Sequence, residues 1–142
     1  MAETNSHPRR VLRSVGAVGA GFLMVVILSL GTDMVLHSTG VFPPWGQATS
    51  DQLFVLATAY RTLFGVAGSY MTARLAPDRP MGHALAGGTI GLLICVAGAV
   101  ATWNRGPAFG PHWYPLALVT TALPQSWVGA KLHEVQFLRA AW

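Results

Sequence analysis

The chain has 142 residues, of which 52% are hydrophobic and only 10% are charged. Soluble domains carry about 25% charged residues, so this composition argues against a soluble domain and favours a membrane protein. The single cysteine, Cys95, excludes an intrachain disulfide and a cysteine-based metal site. The net charge of +4 does not indicate a nucleic-acid partner, because the basic residues stand at the ends of apolar runs.

The first apolar run covers about 15–37 and follows three arginines between positions 9 and 13. It has the roughly 20 residues that a helix needs to cross a bilayer, so it predicts a first span. Residues 1–7 are polar and predict a flexible tail. The alternative is a secretory signal peptide with a small-x-small cleavage site ending at Gly31. Because the apolar run continues to Leu36, an uncleaved span is favoured.

Three further apolar segments predict spans over about 52–75, 81–103 and 113–131, with 132–142 as an interfacial tail. The chain is therefore predicted to be all-α, a single integral membrane four-helix bundle over residues 1–142. Short connections between the spans favour antiparallel neighbours.

Lysine and arginine are distributed unequally over the predicted connections. Seven of them lie in the N-terminal tail, the second connection and the C-terminal tail, and only Arg105 lies on the opposite side. Cytoplasmic segments carry the excess of basic residues, so both termini are predicted to be cytoplasmic.

Arg61 stands near the middle of the second predicted span. A charge at that depth is costly, so it is expected to face the bundle interior and to have a partner. Ala57, Gly65 and Gly68 share its helical face, and small residues of this kind pack against neighbouring helices. Asp33 is the one acidic residue within a predicted span, so an Asp33–Arg61 ion pair is predicted.

Two roles for Arg61 remain open at this stage. It can brace the bundle through hydrogen bonds to backbone carbonyls and to Tyr60 or Tyr70, or it can bind a ligand or gate a path. Ser29, Asp33 and His37 lie four residues apart on one face of the first helix. A carboxylate and an imidazole one turn apart can pass protons, although a histidine at a helix end more often only caps it.

Small residues also predict where helices approach closely. Gly65 and Gly68 belong to the second helix, and Cys95 in the third is interpreted as a small apolar filler, not a nucleophile. The seams expected to support association are Gly16–Ala20, Ala17–Gly21 and Gly87–Gly91–Cys95.

The connection 74–83 resembles the loop between helices two and three of major facilitator transporters. The nearest matches are Ala73, Leu75, Asp78, Arg79 and Gly82. The inserted Pro77 departs from that pattern, and that superfamily has twelve helices where this chain has four. A short turn in which Asp78 caps the third helix explains the likeness.

The run YRTLFGVAGSYMTARLAPDRPMGHAL, with GPHWYP further on, resembles a group of small four-helix bacterial inner-membrane proteins with no assigned activity. The resemblance spans most of the chain. It implies a multi-pass architecture in the bacterial inner membrane, with the lipid bilayer as the environment.

The sequence therefore favours a non-enzymatic membrane protein, either an accessory subunit of a larger membrane complex or part of a homo-oligomer. The alternative is a small oligomeric transporter or channel that uses Arg61 with Asp33 and His37. A third hypothesis is an enzyme acting on lipid with His112 or His37 as its base. No metal-ligand spacing, phosphate-binding loop or catalytic triad occurs, so no cofactor and no metal are predicted.

Overall fold

The computed structural model of the chain describes residues 6–140, and the side chains of residues 8–140. It contains α1 (Ser6–Ser38), α2 (Asp51–Leu75), α3 (Pro80–Thr102) and α4 (Trp113–Ala140), with a 3₁₀ turn at Pro107–Phe109. No strand occurs between residues 6 and 140. The prediction of an all-α chain with four helices is confirmed.

Two helices extend further than predicted. α1 begins at Ser6, so part of the predicted tail is helical, while residues 1–5 lie outside the described range. α4 continues past Lys131 to Ala140, and residues 141 and 142 of the predicted interfacial tail are not described. Lys131 pairs with Glu134 at 2.9 Å, and the Gln136 side chain accepts a 2.5 Å hydrogen bond from the Tyr70 hydroxyl on α2. These contacts support the additional helical turns.

α2 is the central helix, because it packs against all three others. Its main contacts are with α1 and α4, α3 packs mainly on α4, and the contact between α1 and α3 is small. Glycine allows the closest approaches. A Cβ atom on Gly129 of α4 would lie 2.7 Å from the backbone nitrogen of Tyr70, and one on Gly21 of α1 would meet the carbonyl oxygen of Gly68.

The buried hydrophobic residues are small, with the exception of Phe42, and most large apolar side chains lie outside. The buried hydrophobic residues are Ala17, Phe42, Ala57, Ala73, Ala84, Ala99, Ala122 and Ala130. Leucine, isoleucine and valine side chains on α1 and α3 are instead largely exposed, Leu12 and Val100 being 71% and 75% exposed. Soluble proteins show the opposite distribution.

The structure corrects one of the predicted association seams, Ala17–Gly21. Ala17 and Gly21 are buried against the rest of the chain, so that seam is not free. In α3, Gly88 packs against Ser126 of α4, whereas Gly91 has no atom within 4 Å of an added Cβ. The sequence could not select the packing glycine of α3, because Gly87 and Gly88 are adjacent and point about 100° apart. Their spacing alone does not tell which one faces α4.

Two helices are long and apolar enough to cross a membrane: α1 over Pro8–Ser38 and α3 over Pro80–Thr102. Only 11% of the most apolar window of each is buried. The core helix of a soluble domain would instead be mostly buried.

The connection between α2 and α3 differs from the prediction that Asp78 caps α3. Arg79 occupies the N-cap position with φ 39° and ψ 61°, and its side chain makes no capping hydrogen bond. Pro80 at the start of α3 lacks an N–H, so one fewer donor needs a cap there.

Candidate functional site

Asp33 is the centre of a polar cluster between α1 and α2. Its carboxylate accepts one hydrogen bond from the Tyr60 hydroxyl at Oδ1 and another from Arg61 Nη2 at Oδ2, the latter at 2.5 Å. The predicted ion pair is therefore present. The Asp33 side chain is 9% exposed and that of Arg61 is 32% exposed, so the acid is the more deeply buried partner.

Small residues in both helices bring this cluster together. Ala17, Gly21, Ser29 and Asp33 lie on one face of α1 and are all buried. On α2, Ala57 and Gly68 are buried as well, and an added Cβ on Gly68 would lie 2.6 Å from the Gly21 carbonyl oxygen. Short side chains let the two backbones approach, and the longer Asp33 and Arg61 side chains meet in the space that remains.

His37 contacts Asp33 through the backbone. Its Nδ1 lies 2.7 Å from the Asp33 carbonyl oxygen, and the imidazole stacks on Trp45 with ring centroids 3.6 Å apart. Phe42 meets the same ring edge-on at 5.3 Å. No contact to the Asp33 carboxylate is among the described contacts of His37, so the predicted proton-passing pair is not in direct contact.

The cluster borders a cavity of about 220 Å³, here called the aromatic-end cavity. It is lined by Asp33, His37, Phe42, Pro43, Pro44, Trp45, Gly46, Gln47, Thr49, Leu53, Phe54, Ala57, Arg61, Ala108, Phe109 and Tyr114. Residues from the 39–50 connection and from the 103–112 connection both contribute. These two connections therefore lie at the same end of the helices.

A second cavity of about 290 Å³, here called the interhelical cavity, lies between all four helices. Its walls include apolar residues of α1 and α3 and the polar side chains of Ser29, Gln125 and Arg61. Gly91 and Cys95 border it, which explains why this part of the predicted α3 seam makes no close helix contact.

Among the described residues, Arg61 alone lines both cavities. Comparison with protein-family models, curated proteins and solved structures finds no match for the chain. Within the chain, the guanidinium bonds Asp33 on the aromatic-end side and faces the interhelical cavity on the other. Its Nε is buried and has no hydrogen-bond partner among the described residues. Arg61 therefore borders two spaces and retains unused hydrogen-bonding capacity.

The sequence-predicted site residues fall into two groups. Asp33, Tyr60 and Arg61 are in contact, and His37 borders the aromatic-end cavity with them. Ser29, one turn away on α1, borders the interhelical cavity instead. The polar stripe of α1 is thus divided between the two cavities.

Sequence reasoning missed Tyr114 as a site residue. Its ring packs against Phe54 with centroids 4.8 Å apart, and both line the aromatic-end cavity beside Arg61. The adjacent Trp113 is exposed, and the pair resembles an interfacial aromatic belt in the sequence. The aromatic pattern alone does not tell which of the two faces inward.

His112, the candidate base of the enzyme hypothesis, is held at the helix ends. Its Nε2 lies 2.8 Å from the Trp103 carbonyl oxygen, and its ring stacks on Trp103 at 4.4 Å. The neighbouring cavity contains no second titratable side chain among its described lining residues. Among the side chains of residues 8–140, no group of three or more His, Cys, Asp or Glu is placed to hold a metal ion.

Proposed function

We propose that the chain is a non-enzymatic, multi-pass protein of the bacterial inner membrane, with four antiparallel spans and cytoplasmic termini. The observation that carries this proposal is the arrangement of small residues inside and large apolar residues outside. Helix packing in lipid uses small residues, because the bilayer solvates the large apolar ones. An apolar surface of this extent needs a bilayer or a partner.

α2 and α4 are less apolar than α1 and α3, and their polar groups are paired in ways that suit a membrane interior. The hydroxyls of Thr58, Thr121 and Ser126 each bond the carbonyl four residues earlier, at 2.8–2.9 Å. Arg61 is paired with Asp33. Polar groups satisfied in this way reduce the free-energy cost of placing both helices in lipid.

The same packing supports retention of α1 as a span. Cleavage after Gly31 would remove Ala17 and Gly21, which are buried against the rest of the chain. It would also leave Asp33 at a new N-terminus, where the pairing with Arg61 would lose its helical support.

Topology can be tested with single cysteines in a Cys95→Ser background. Ser38→Cys should react with a membrane-impermeant maleimide added outside spheroplasts, whereas Asp78→Cys should react only after the membrane is opened. Reaction of both from outside would overturn the proposed topology. Loss of the segment before Gly31 from the mature protein, measured by intact mass, would overturn the retained span.

We propose further that the chain acts as a component of an assembly, either with itself or with another membrane protein. Gly16 of α1 is exposed and has no atom within 4 Å of an added Cβ, so it is available to another helix. In membrane patches excised with a copolymer, the expected particle contains more protein than one 15.1 kDa chain. Gly16→Leu should disrupt it, and Gly31→Leu, which is equally open, should not. A solitary wild-type chain would contradict this role.

Arg61 favours a second candidate, a small oligomeric transporter or channel, because it lines both cavities. Breaking its bond to Asp33 would free the guanidinium to move away from the boundary between them. The test is proton and anion flux in proteoliposomes containing the wild-type chain or Arg61→Ala. Equal flux in the two at the background level would overturn this candidate.

A further inference from the structure

The interhelical cavity is open on one side, between α1 and α3. Phe22 and Leu30 of α1 and Ile94 of α3 line it, yet they are 40%, 56% and 50% exposed. A Cβ on Gly87 would lie 3.5 Å from Val18, whereas one on Gly91, a turn further along α3, would meet nothing within 4 Å. The gap therefore widens along α3. In the proposed bilayer it opens toward the acyl chains.

The wall of the cavity combines apolar and polar residues. The exposed residues at its mouth are apolar, Arg61, Ser29 and Gln125 form a polar end, and Ser69, Thr72 and Ser126 add further hydroxyl groups to the lining. Arg61 is the one charged residue among the described residues that line this cavity, because Asp33 lies on the far side of the guanidinium. Seen from the cavity, the polar end is therefore cationic.

This polar end has hydrogen-bond donors to spare. A guanidinium has five N–H donors, and the described hydrogen bonds use only Nη2, which bonds Asp33, so Nη1 has no protein partner among the described residues. The described hydrogen bonds also leave the Ser29 hydroxyl and the Gln125 amide without a protein partner. Asp33 accepts a second hydrogen bond from Tyr60, so its charge does not depend on Arg61 alone.

We infer that the interhelical cavity binds a single-chain amphiphile with a carboxylate head. Its apolar chain lies between α1 and α3, and its carboxylate accepts hydrogen bonds from Arg61, Ser29 and Gln125. A volume of about 290 Å³ lies near the lower limit, roughly 300 Å³, of small-molecule pockets, and it suits one chain better than a two-chain phospholipid. This inference rests on the proposed membrane embedding.

The chain carries its own reporter for this site. Cys95 is the single cysteine, is half-buried and lines the interhelical cavity. The experiment measures the rate at which N-ethylmaleimide labels Cys95 in the full chain, in nanodiscs of a zwitterionic phospholipid. Decanoate should slow labelling in a saturable manner. Decanol, which has the same chain length and no charge, should need about a tenfold higher concentration for the same protection, because it forms no charge-assisted hydrogen bond.

Two glycines of α3 give a matched pair of variants. Gly91→Leu places a side chain in the cavity, where its Cβ has no atom within 4 Å, and it should abolish protection by decanoate. Gly98→Leu is equally open, does not line the cavity and should leave protection unchanged. The labelling rate of each variant with ligand is compared with the rate of the same variant without ligand. In Arg61→Gln, decanoate should protect Cys95 no better than decanol does.

Three results would overturn the inference. Equal protection by decanoate and decanol in the wild type would show that the carboxylate is not recognised. No protection by either would show that the cavity takes no chain. Protection that persists in Gly91→Leu would place the ligand elsewhere. Because topology is measured separately with impermeant maleimide, a correctly inserted chain that fails this test overturns the amphiphile site alone. The Gly91→Leu result stands even if Arg61→Gln does not fold.

Discussion

Asp33 of α1 and Arg61 of α2 form an ion pair in which the acid is almost fully buried and the base borders two cavities. The 2.5 Å contact joins helices that are 28 residues apart in the sequence at this point. A pair in this position links α1 to the central helix. The contribution of the pair to the free energy of unfolding can be measured with single and double variants of the two residues.

Removing either partner alone should destabilise the protein more than removing both. Asp33→Asn or Arg61→Gln leaves one charge without its partner, and we expect each to lower the free energy of unfolding by about 2 kcal/mol. Breaking a fully buried pair usually costs roughly 3–5 kcal/mol. The expected loss is smaller here because the Arg61 side chain is one-third exposed. The double variant should be more stable than the worse single one. SDS titration of the purified protein measures all four forms. A double variant no more stable than the worse single variant would show that the residues are not energetic partners.

Tyr60 should contribute to the same cluster through its hydroxyl group alone. Tyr60→Phe keeps the ring but removes the donor to Asp33 Oδ1, and we expect a loss of about 1.5 kcal/mol, since a hydrogen bond to a charged group contributes roughly 1.5–3.

The matched control is Tyr70→Phe, which removes an exposed hydroxyl bonded to Gln136. It should change the free energy of unfolding by less than about 0.5 kcal/mol, as surface substitutions usually do. Equal losses for the two variants, measured in the same titration, would contradict a special role for the Asp33 cluster.

Gly21 and Gly19 in α1 should respond in opposite directions to the same substitution. A methyl group on Gly21 would meet the Gly68 carbonyl oxygen and the Thr72 hydroxyl, so Gly21→Ala should force α1 from α2 and lower stability by about 1–3 kcal/mol. A methyl group on Gly19 would meet nothing within 4 Å, and Gly19→Ala should raise stability by up to about 1 kcal/mol through helix propensity.

The midpoint of thermal unfolding in detergent distinguishes these two outcomes. If Gly21→Ala is as stable as Gly19→Ala, the close approach of α1 and α2 is not needed for folding. The double variant Gly21→Ala with Arg61→Gln tests whether the α1–α2 contact at Gly21 is coupled to the ion pair. If its loss of stability is smaller than the sum of the two single losses, the Gly21 contact is needed for the Asp33–Arg61 contact.

The helices and the ion pair could be predicted from the sequence because each prediction had few alternatives. Pro, Gly and charged residues mark the connections between the apolar runs. Three predicted bounds therefore lie within one residue of the structure: the starts of α2 and α3 and the last residue of α2. Asp33 is the one acidic residue within a predicted span, so it was the one candidate partner for Arg61.

The rotation of each helix and the cavities could not be predicted in the same way. Gly87 and Gly88 are the same residue type at adjacent positions, and only the structure shows that Gly88 is the one that packs against Ser126. Tyr114 and Trp113 are similarly ambiguous at the start of α4. The left-handed conformation of Arg79 also follows from the geometry of a four-residue connection, because a bulky residue has no intrinsic preference for φ 39°. These features depend on the other helices, so no local pattern encodes them.

Arg61 should control access to Cys95 from the end that carries the aromatic connections. Cys95 borders the interhelical cavity, and Arg61 lines both that cavity and the aromatic-end cavity. In spheroplasts, a membrane-impermeant thiosulfonate added outside should label wild-type Cys95 slowly. Arg61→Ala removes the guanidinium between the two cavities and should increase the rate by about tenfold or more, an effect that corresponds to lowering the barrier by roughly 1.4 kcal/mol.

Arg105→Ala is the control, because it removes an exposed arginine from the same end without altering the boundary between the cavities. It should leave the labelling rate at the wild-type level. Asp33→Asn should give an intermediate rate, since the guanidinium remains but loses the 2.5 Å bond that holds it in place. If Arg61→Ala labels no faster than Arg105→Ala, the two cavities stay separate without Arg61. The barrier would then be attributed to the packing of α1 against α2, and Arg61 would be left with its bracing role.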